Sequence, residues 1–117
     1  MLLDANALMM PFQFSINLDA EMRRLLGDVD AAVPRPVLEE LHRLATGNRF
    51  ARAAERLATR YRTIESAGSA DESLLALASS LSAIVVTNDL PLLETLRKAG
   101  IPRISLRSRN HLVLEGV

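Results

Sequence analysis

Short apolar runs alternate with longer amphipathic stretches along this sequence. The apolar runs predict short strands at residues 1–3, 31–33, 83–87 and 103–106, and residues 62–65 form a weaker candidate strand. Strands that alternate with helices are typical of a parallel sheet with helices on both faces. The pattern therefore predicts an α/β fold with three layers, α/β/α, around a central, mostly parallel sheet of about five strands.

Apolar residues at helical spacing predict helices between these runs. Pro36 suits the first turn of a helix, Ser69 and Glu72 have the spacing of a capping box, and Gly100 is a typical helix end. No repeat or linker interrupts the pattern, so residues 1–117 are expected to form a single domain. The segment from residue 107 onward shows neither the helical nor the strand spacing of apolar residues. The predicted helices cover approximately residues 17–26, 36–45, 49–61, 69–81 and 91–99.

The helix predicted at 49–61 has two distinct faces. At about 100° per residue, one face is apolar and is expected to pack against the protein. The near-opposite face carries a stripe of arginines, which is expected to face solvent or a ligand. The apolar face is formed by Phe50, Ala54, Leu57 and Tyr61, and the arginine stripe by Arg49, Arg52, Arg56 and Arg60.

Composition narrows the class of protein. A chain of 117 residues with 49% apolar residues can form one core without a disulfide or a structural metal. It has no cysteine, which excludes disulfide frameworks, cysteine zinc sites and thiol nucleophiles. The first residues lack the basic region of a signal peptide, and the apolar runs are much shorter than a bilayer span of about 20 residues. We expect a soluble, cytoplasmic protein without a membrane partner.

The net charge of zero conceals a segregation of charge along the chain. Residues 1–41 carry seven acids and three arginines, whereas residues 42–62 carry six arginines and one glutamate. Residues 90–117 carry five basic and two acidic side chains. An acidic site beside basic surface favours an enzyme that binds a metal ion and a polyanion. Ordinary solvated helix faces would give the same segregation.

Two aspartates directly follow predicted strands. Asp4 follows the first strand and Asp89 follows the strand at 83–87. In parallel α/β sheets the ligand crevice lies outside the carboxyl ends of the strands, so both carboxylates are candidates for a site. Each also has a purely structural interpretation, because Asp89 can cap the helix before Pro91 and Asp4 can form a turn with Asn6.

Helix geometry separates two pairs of adjacent acids. Glu40 lies on the rim of the apolar face of its helix and Glu39 lies nearly opposite, so Glu40 is the better site candidate. Glu72 is the natural capping partner of Ser69, so Asp71 is the better ligand candidate. Glu72 remains a candidate for a role behind the ligands, in support of them. Four carboxylates in one crevice would repel each other, and all-oxygen ligands favour Mg²⁺ or Mn²⁺.

These residues, taken in order, resemble the PIN-domain nucleases. The stretch from Asp71 to Asp89 combines an acid that opens a small-residue helix, an apolar strand and Thr-Asn-Asp. Leu3-Asp4-Ala5-Asn6 looks like the family's opening aspartate motif, and Val37-Leu38-Glu39-Glu40-Leu41 looks like its helical glutamate. Pro11-Phe12-Gln13-Phe14 is similar to small archaeal PIN proteins resembling those that process ribosomal RNA. The toxin branch of toxin–antitoxin pairs is the next most similar.

The resemblance implies a PIN-like fold and a metal-dependent endoribonuclease. Asp4, Glu40, Asp71 and Asp89 would hold one or two Mg²⁺ or Mn²⁺ ions, and Asn6, Thr87 and Asn88 would orient those ligands. RNA would be the substrate. The arginine stripe is not a family motif, and we expect from its charge alone that it follows the RNA backbone. The partners implied are a second copy of the chain, through apolar Met and Phe side chains near the start, and an antitoxin or a ribosome-assembly component.

Two other functions suit the same residues. A PIN-fold module without turnover would bind RNA or protein in a ribosome-assembly particle. A receiver-like phosphoacceptor domain also clusters aspartates on a parallel sheet, although Asp89 at the start of a helix suits that role poorly. The binding module predicts RNA or protein binding that survives loss of the acids. Failure of Asp4 or any other acid to take up a small phosphodonor would exclude the receiver-like domain.

Overall fold

Six strands form one sheet in a computed structural model that describes all residues from 1 to 117. The strands are β1 (Leu2–Leu3), β2 (Ala32–Pro34), β3 (Arg62–Ile64), β4 (Val85–Val86), β5 (Arg103–Arg107) and β6 (His111–Glu115). Their order is β3-β2-β1-β4-β5-β6, and only the β5–β6 pair is antiparallel. The predicted mostly parallel α/β sheet is confirmed. The expected count of about five strands was one short, because β6 was not recognised.

Six helices connect these strands. They are α1 (Ala5–Phe14), α2 (Leu18–Leu26), α3 (Arg35–Ala45), α4 (Arg49–Ala58), α5 (Ala70–Leu81) and α6 (Leu90–Lys98). All except α1 correspond to predicted helices, and the capping box of Ser69 and Glu72 is present at the start of α5. Helix α4 ends three residues earlier than predicted, and the Thr59 hydroxyl donates to the carbonyl of Arg56 at that end.

Helix α1 was missed because its sequence has no amphipathic period. Five of its first six residues are buried, so apolar side chains surround the helix axis and form no single stripe. Pro11 lies inside the helix and removes one backbone donor, which weakens the local signal for a helix. The methionines of α1, Met9 and Met10, lie in the protein's own core and cannot supply a dimer contact.

The order of the strands creates a single reversal point in the sheet. From β1 the chain adds β2 and β3 on one side, and then β4 and β5 on the other. Parallel crossovers are right-handed, so the helices before β3 and those after it cover opposite faces of the sheet. The reversal lies between β1 and β4, where the Asp4 amide donates to the carbonyl of Val86. The carboxyl ends of strands at such a point open into a crevice.

The central strands are fully enclosed by the two helical layers. Leu2, Leu3, Val85 and Val86 are at most 1% exposed and belong to one apolar cluster. Their burial explains why these short strands read as continuous apolar runs instead of alternating patterns. None of the helices has the length and apolar character needed to cross a lipid bilayer.

The C-terminal strand β6 forms an edge of the sheet that two side chains of α2 cover. The Glu21 carboxylate accepts from the Leu112 amide at 2.8 Å, and the Arg24 guanidinium donates to the Leu112 carbonyl at 2.8 Å. Arg24 also donates to Glu21, so the two side chains act as one unit. Such a pair satisfies backbone groups that another strand would otherwise bind.

We expect Glu21→Ala to lower the free energy of unfolding by about 1 kcal/mol, because the Leu112 amide loses its acceptor. Glu21→Gln keeps an oxygen at the same position and is expected to lose less. Urea denaturation of both variants measures the difference. Equal stabilities for Glu21→Ala and the wild type would show that the side-chain cover does not stabilise β6.

Candidate active site

Four carboxylates from different parts of the chain line one cavity at the carboxyl ends of β1 and β4. The cavity has a volume of about 250 Å³, and none of its lining side chains is basic. It lies at the reversal point of the sheet, where the strand order predicts a crevice. The lining residues are Asp4, Asn6, Glu40, Ser69, Ala70, Asp71, Leu74 and Asp89.

Asp4 is the most enclosed of these acids, at 6% exposure. It is the N-cap of α1, and one carboxylate oxygen accepts from the Ala7 amide at 2.7 Å. The other oxygen accepts from the Thr87 hydroxyl. The structural interpretation of Asp4 as a turn residue was therefore wrong, because its structural role is to cap a helix. Each oxygen keeps a lone pair for a ligand in the cavity.

Thr87 connects the two strand ends. Its hydroxyl donates to Asp4 and accepts from the Asp89 amide at 3.1 Å. The side chain is fully buried, so this link is shielded from water. Thr87 thereby fixes the Asp4 carboxylate relative to the backbone of Asp89.

Asp89 occupies the N-cap position of α6 but its carboxylate does not cap the helix. Only its backbone carbonyl takes part, accepting from the Leu93 amide at 2.9 Å. An N-cap aspartate normally uses its side chain to accept from the first turn. The carboxylate of Asp89 instead lines the cavity, which removes the main structural interpretation of this residue.

Helix α3 presents Glu40 to the cavity and Glu39 to water. Glu40 is half-buried, whereas Glu39 is exposed and lines a separate surface depression. The difference follows from the helical rotation that separates adjacent residues. Burial raises the pKa of Glu40, and the charge of Arg43, one turn further along α3, offsets part of that rise. Sequence reasoning did not single out Arg43, although its spacing of three residues from Glu40 was a signal.

Helix α5 supplies Asp71 from its first turn. Glu72 is occupied by the capping box, since its carboxylate accepts from the Ser69 amide at 2.9 Å. Asp71 makes no comparable bond and lines the cavity together with Ser69. The geometry thus separates these adjacent acids as the capping pattern predicts. Glu72 supports the site only through the position of the helix start.

The four acids influence one another electrostatically. Burial raises the pKa of Asp4 to about 7, and the charges of Glu40 and Asp89 add to this effect. Burial and the charge of Asp71 raise the pKa of Glu40, while burial and the charge of Asp89 raise the pKa of Asp71. Each shift shows that an additional negative charge in this cavity is unfavourable without a counter-ion.

The chemistry of the cavity fits a hard divalent cation. Its polar side-chain groups are carboxylates, an amide and a hydroxyl, which are the ligands that Mg²⁺ and Mn²⁺ prefer. No three acidic or histidine side chains converge closely enough in the structure to enclose an ion.

Other expected site residues lie outside the cavity lining. Asn88 is half-buried, and the four arginines of the stripe, three on α4 and Arg60 just beyond its end, are exposed. Arg60 differs from the rest of the stripe because it forms an ion pair with Asp19 at 3.4 Å. The Arg49 guanidinium lies over the Phe50 ring at 5.1 Å, which leaves its donors available to solvent.

Known proteins resemble this chain over nearly its whole length. The family described as PIN-like domain matches residues 1–109. Ribonuclease VapC4 of Methanocaldococcus jannaschii is 31% identical over 125 residues, covering 97% of this chain and 95% of the relative. The solved structure of the PIN domain endonuclease Utp24 matches with a TM-score of 0.83 and 25% identity, covering 99% of this chain and 90% of that one. Sequence and fold therefore identify the same family.

Proposed function

This chain belongs to the PIN-like domain family, and on that premise we propose that it is a divalent-metal-dependent endoribonuclease. The observation that carries the proposal is that Asp4, Glu40, Asp71 and Asp89 line one cavity whose lining has no basic residue. The ribonuclease VapC4 and the endonuclease Utp24, which this chain resembles, support hydrolysis of RNA as the reaction.

We propose that the four carboxylates hold one or two Mg²⁺ or Mn²⁺ ions. A divalent ion at this place supplies Lewis-acid stabilisation of the charge on a scissile phosphate and acidifies water. Asp4 is fixed for this role by Thr87 and the Ala7 amide. Asn6, which also lines the cavity, would help to orient the bound ligands. No nucleophilic side chain is needed, because water is the attacking group.

We propose that the arginine stripe contacts the RNA backbone. Arg49, Arg52 and Arg56 are exposed and lack a carboxylate partner, so their charges are available to phosphates. Arg60 is the least suited of the four, since a phosphate would have to compete with Asp19.

Cleavage of end-labelled single-stranded and hairpin RNA tests the function. The wild type and Asp89→Asn, purified side by side, are incubated with Mn²⁺, Mg²⁺ or EDTA. We expect cleavage by the wild type that EDTA stops, and a loss of at least about 100-fold in Asp89→Asn. Equal cleavage by both proteins would contradict the proposed site. RNA binding without cleavage by the wild type would favour a non-catalytic binding module instead.

The two branches of the family differ in the partners they require. A toxin-type ribonuclease pairs with an antitoxin, whereas a ribosomal RNA processor works with ribosome-assembly components. We also propose a homodimer, supported by Phe12, which is 41% exposed and borders a groove lined by Pro11, Ile16 and Leu57. A monomer mass at micromolar concentration in solution would contradict the homodimer.

A further inference from the structure

The β5–β6 hairpin brings a second group of cations to the edge of the sheet that holds the acids. Val86 pairs with Ile104, so residues three positions further along, Asp89 and Arg107, leave the sheet at the same edge. Neighbouring strands are only about 4.8 Å apart, and β5 lies directly beside β4. The turn that follows Arg107 therefore lies at the same edge of the sheet as the acidic cavity.

The hairpin tip is basic, exposed and without acidic partners. Arg107 and Arg109 form no ion pair, in contrast to the basic residues Arg97 and Lys98 at the end of α6, which both contact Glu94. The Arg109 guanidinium lies 6.0 Å from the centre of the Phe14 ring at the end of α1. Stacking holds the side chain in place and leaves its donors unused.

The backbone of the tip is strained in a way that ordinary turn residues would avoid. Ser108 and Arg109 have φ angles of 57° and 61°, a left-handed conformation that costs L-residues about 1–2 kcal/mol each. Glycine or asparagine at these positions would relieve the strain. Strained backbone conformations cluster at functional sites, where the side chain of the strained residue has a role that a glycine could not perform.

We propose that the hairpin tip, residues 107–110, binds backbone phosphates of the RNA strand beside the scissile bond, with Arg107 and Arg109 as the contacts. The proposal rests on the proposed function and adds a positioning surface to it. The bound strand passes from the arginines near α3 and α4, across the acidic cavity, to the hairpin. Arg43, which interacts with the charge of Glu40, lies where this path reaches the cavity from α3 and α4. The hairpin sets the affinity for the RNA and the register of the bound strand, while the carboxylates act on the phosphate between the hairpin and the arginines of α3 and α4.

Fluorescence anisotropy with a labelled single-stranded RNA in EDTA tests the proposal in the absence of cleavage. Arg107→Ala/Arg109→Ala is compared with Arg97→Ala/Lys98→Ala, which removes the same charge from the end of α6, before β5 begins. We expect the hairpin variant to weaken binding about 10-fold and to reduce the slope of log affinity against log salt by roughly 1.4, for two phosphate contacts on a single strand. The charge-matched control is expected to retain the wild-type slope.

A second variant separates RNA binding from folding. Arg109→Gly removes the side chain and relieves the left-handed backbone, so its melting temperature should not fall below that of the wild type while its RNA affinity drops. In the metal-dependent cleavage assay, both hairpin variants should raise KM and leave kcat nearly unchanged.

Each outcome separates this proposal from the proposed function. If the wild type binds and cleaves RNA but the hairpin variant binds as tightly as the control, the hairpin proposal is overturned and the nuclease stands. If kcat falls while KM is unchanged, the tip does not position RNA and the proposal is also overturned. If the wild type neither binds nor cleaves RNA, both proposals fail together.

Discussion

Asp4→Asn should abolish RNA cleavage and yet leave the metal-free protein at least as stable as the wild type at pH 7.5. Asp4 is enclosed and surrounded by other acids, so its ionised form is unfavourable in the folded protein. Asparagine keeps an oxygen for the Ala7 amide and offers an amide donor to the Thr87 hydroxyl. The substitution therefore removes a metal ligand and an unfavourable charge at the same time.

The effect on stability depends on pH with a definite sign. The pKa of Asp4 is raised to about 7 in the folded protein from an ordinary value of 3.8. Between these values the folded protein keeps a proton that the unfolded chain has released, so the free energy of unfolding falls as the pH rises towards 7. The full shift corresponds to roughly 4 kcal/mol. Glu40 and Asp71, whose pKa values are also raised, contribute in the same direction.

Urea denaturation of the metal-free wild type and of Asp4→Asn between pH 5 and pH 7.5 measures this difference. The wild type is expected to lose stability across the interval, and Asp4→Asn to lose clearly less. Asp28→Asn, a substitution of an exposed acid outside the cavity, is the control and should follow the wild type. Parallel pH profiles for the wild type and Asp4→Asn would show that Asp4 carries no raised pKa.

Glu40→Gln is predicted to weaken Mn²⁺ binding at least about 10-fold, whereas Glu39→Gln leaves it unchanged. The two residues are adjacent in α3 and the substitutions are chemically identical. Glu40 lines the cavity and interacts with the charges of Asp71 and Asp89, while Glu39 faces water. A calorimetric titration of each protein with Mn²⁺ at pH 7.5 measures the affinity.

The fold was predictable where local patterns and tertiary burial agree. The capping box at Ser69, the proline in the first turn of α3 and the apolar strand before Thr87 each determine an element boundary within a few residues. Helix α1 lacked such a signal because it is buried on several sides, as the enclosed Leu8 and Met10 show. The N-cap of the helix is Asp4, whose carboxylate accepts from the Ala7 amide. Because no glutamate follows at the third helical position, the sequence shows no capping box there.

The C-terminal strand β6 was not predictable from its own residues. Two of the contacts that define it come from α2, since Glu21 and Arg24 bind the backbone of Leu112 across 91 and 88 residues of sequence. The turn before it has no glycine or asparagine at its left-handed positions, Ser108 and Arg109, so the usual hairpin signal was absent.

The carboxylates could be selected from sequence because each selection rested on local geometry. Helical rotation separates Glu40 from Glu39, and the capping box separates Asp71 from Glu72. Sequence could not decide whether Asp89 caps α6, because that choice depends on the rotation of its side chain, and its carboxylate lines the cavity without accepting from the first turn of α6. The role of Thr87 in joining β1 to β4 likewise follows only from their pairing in the sheet.

The most direct test of the proposed metal site is the Mn²⁺ titration of the wild type beside Glu40→Gln and Glu39→Gln. Binding by the wild type that weakens at least about 10-fold in Glu40→Gln and is retained in Glu39→Gln is the predicted result. Equal affinity in all three proteins, or no binding by the wild type, would contradict a metal site formed by the cavity carboxylates.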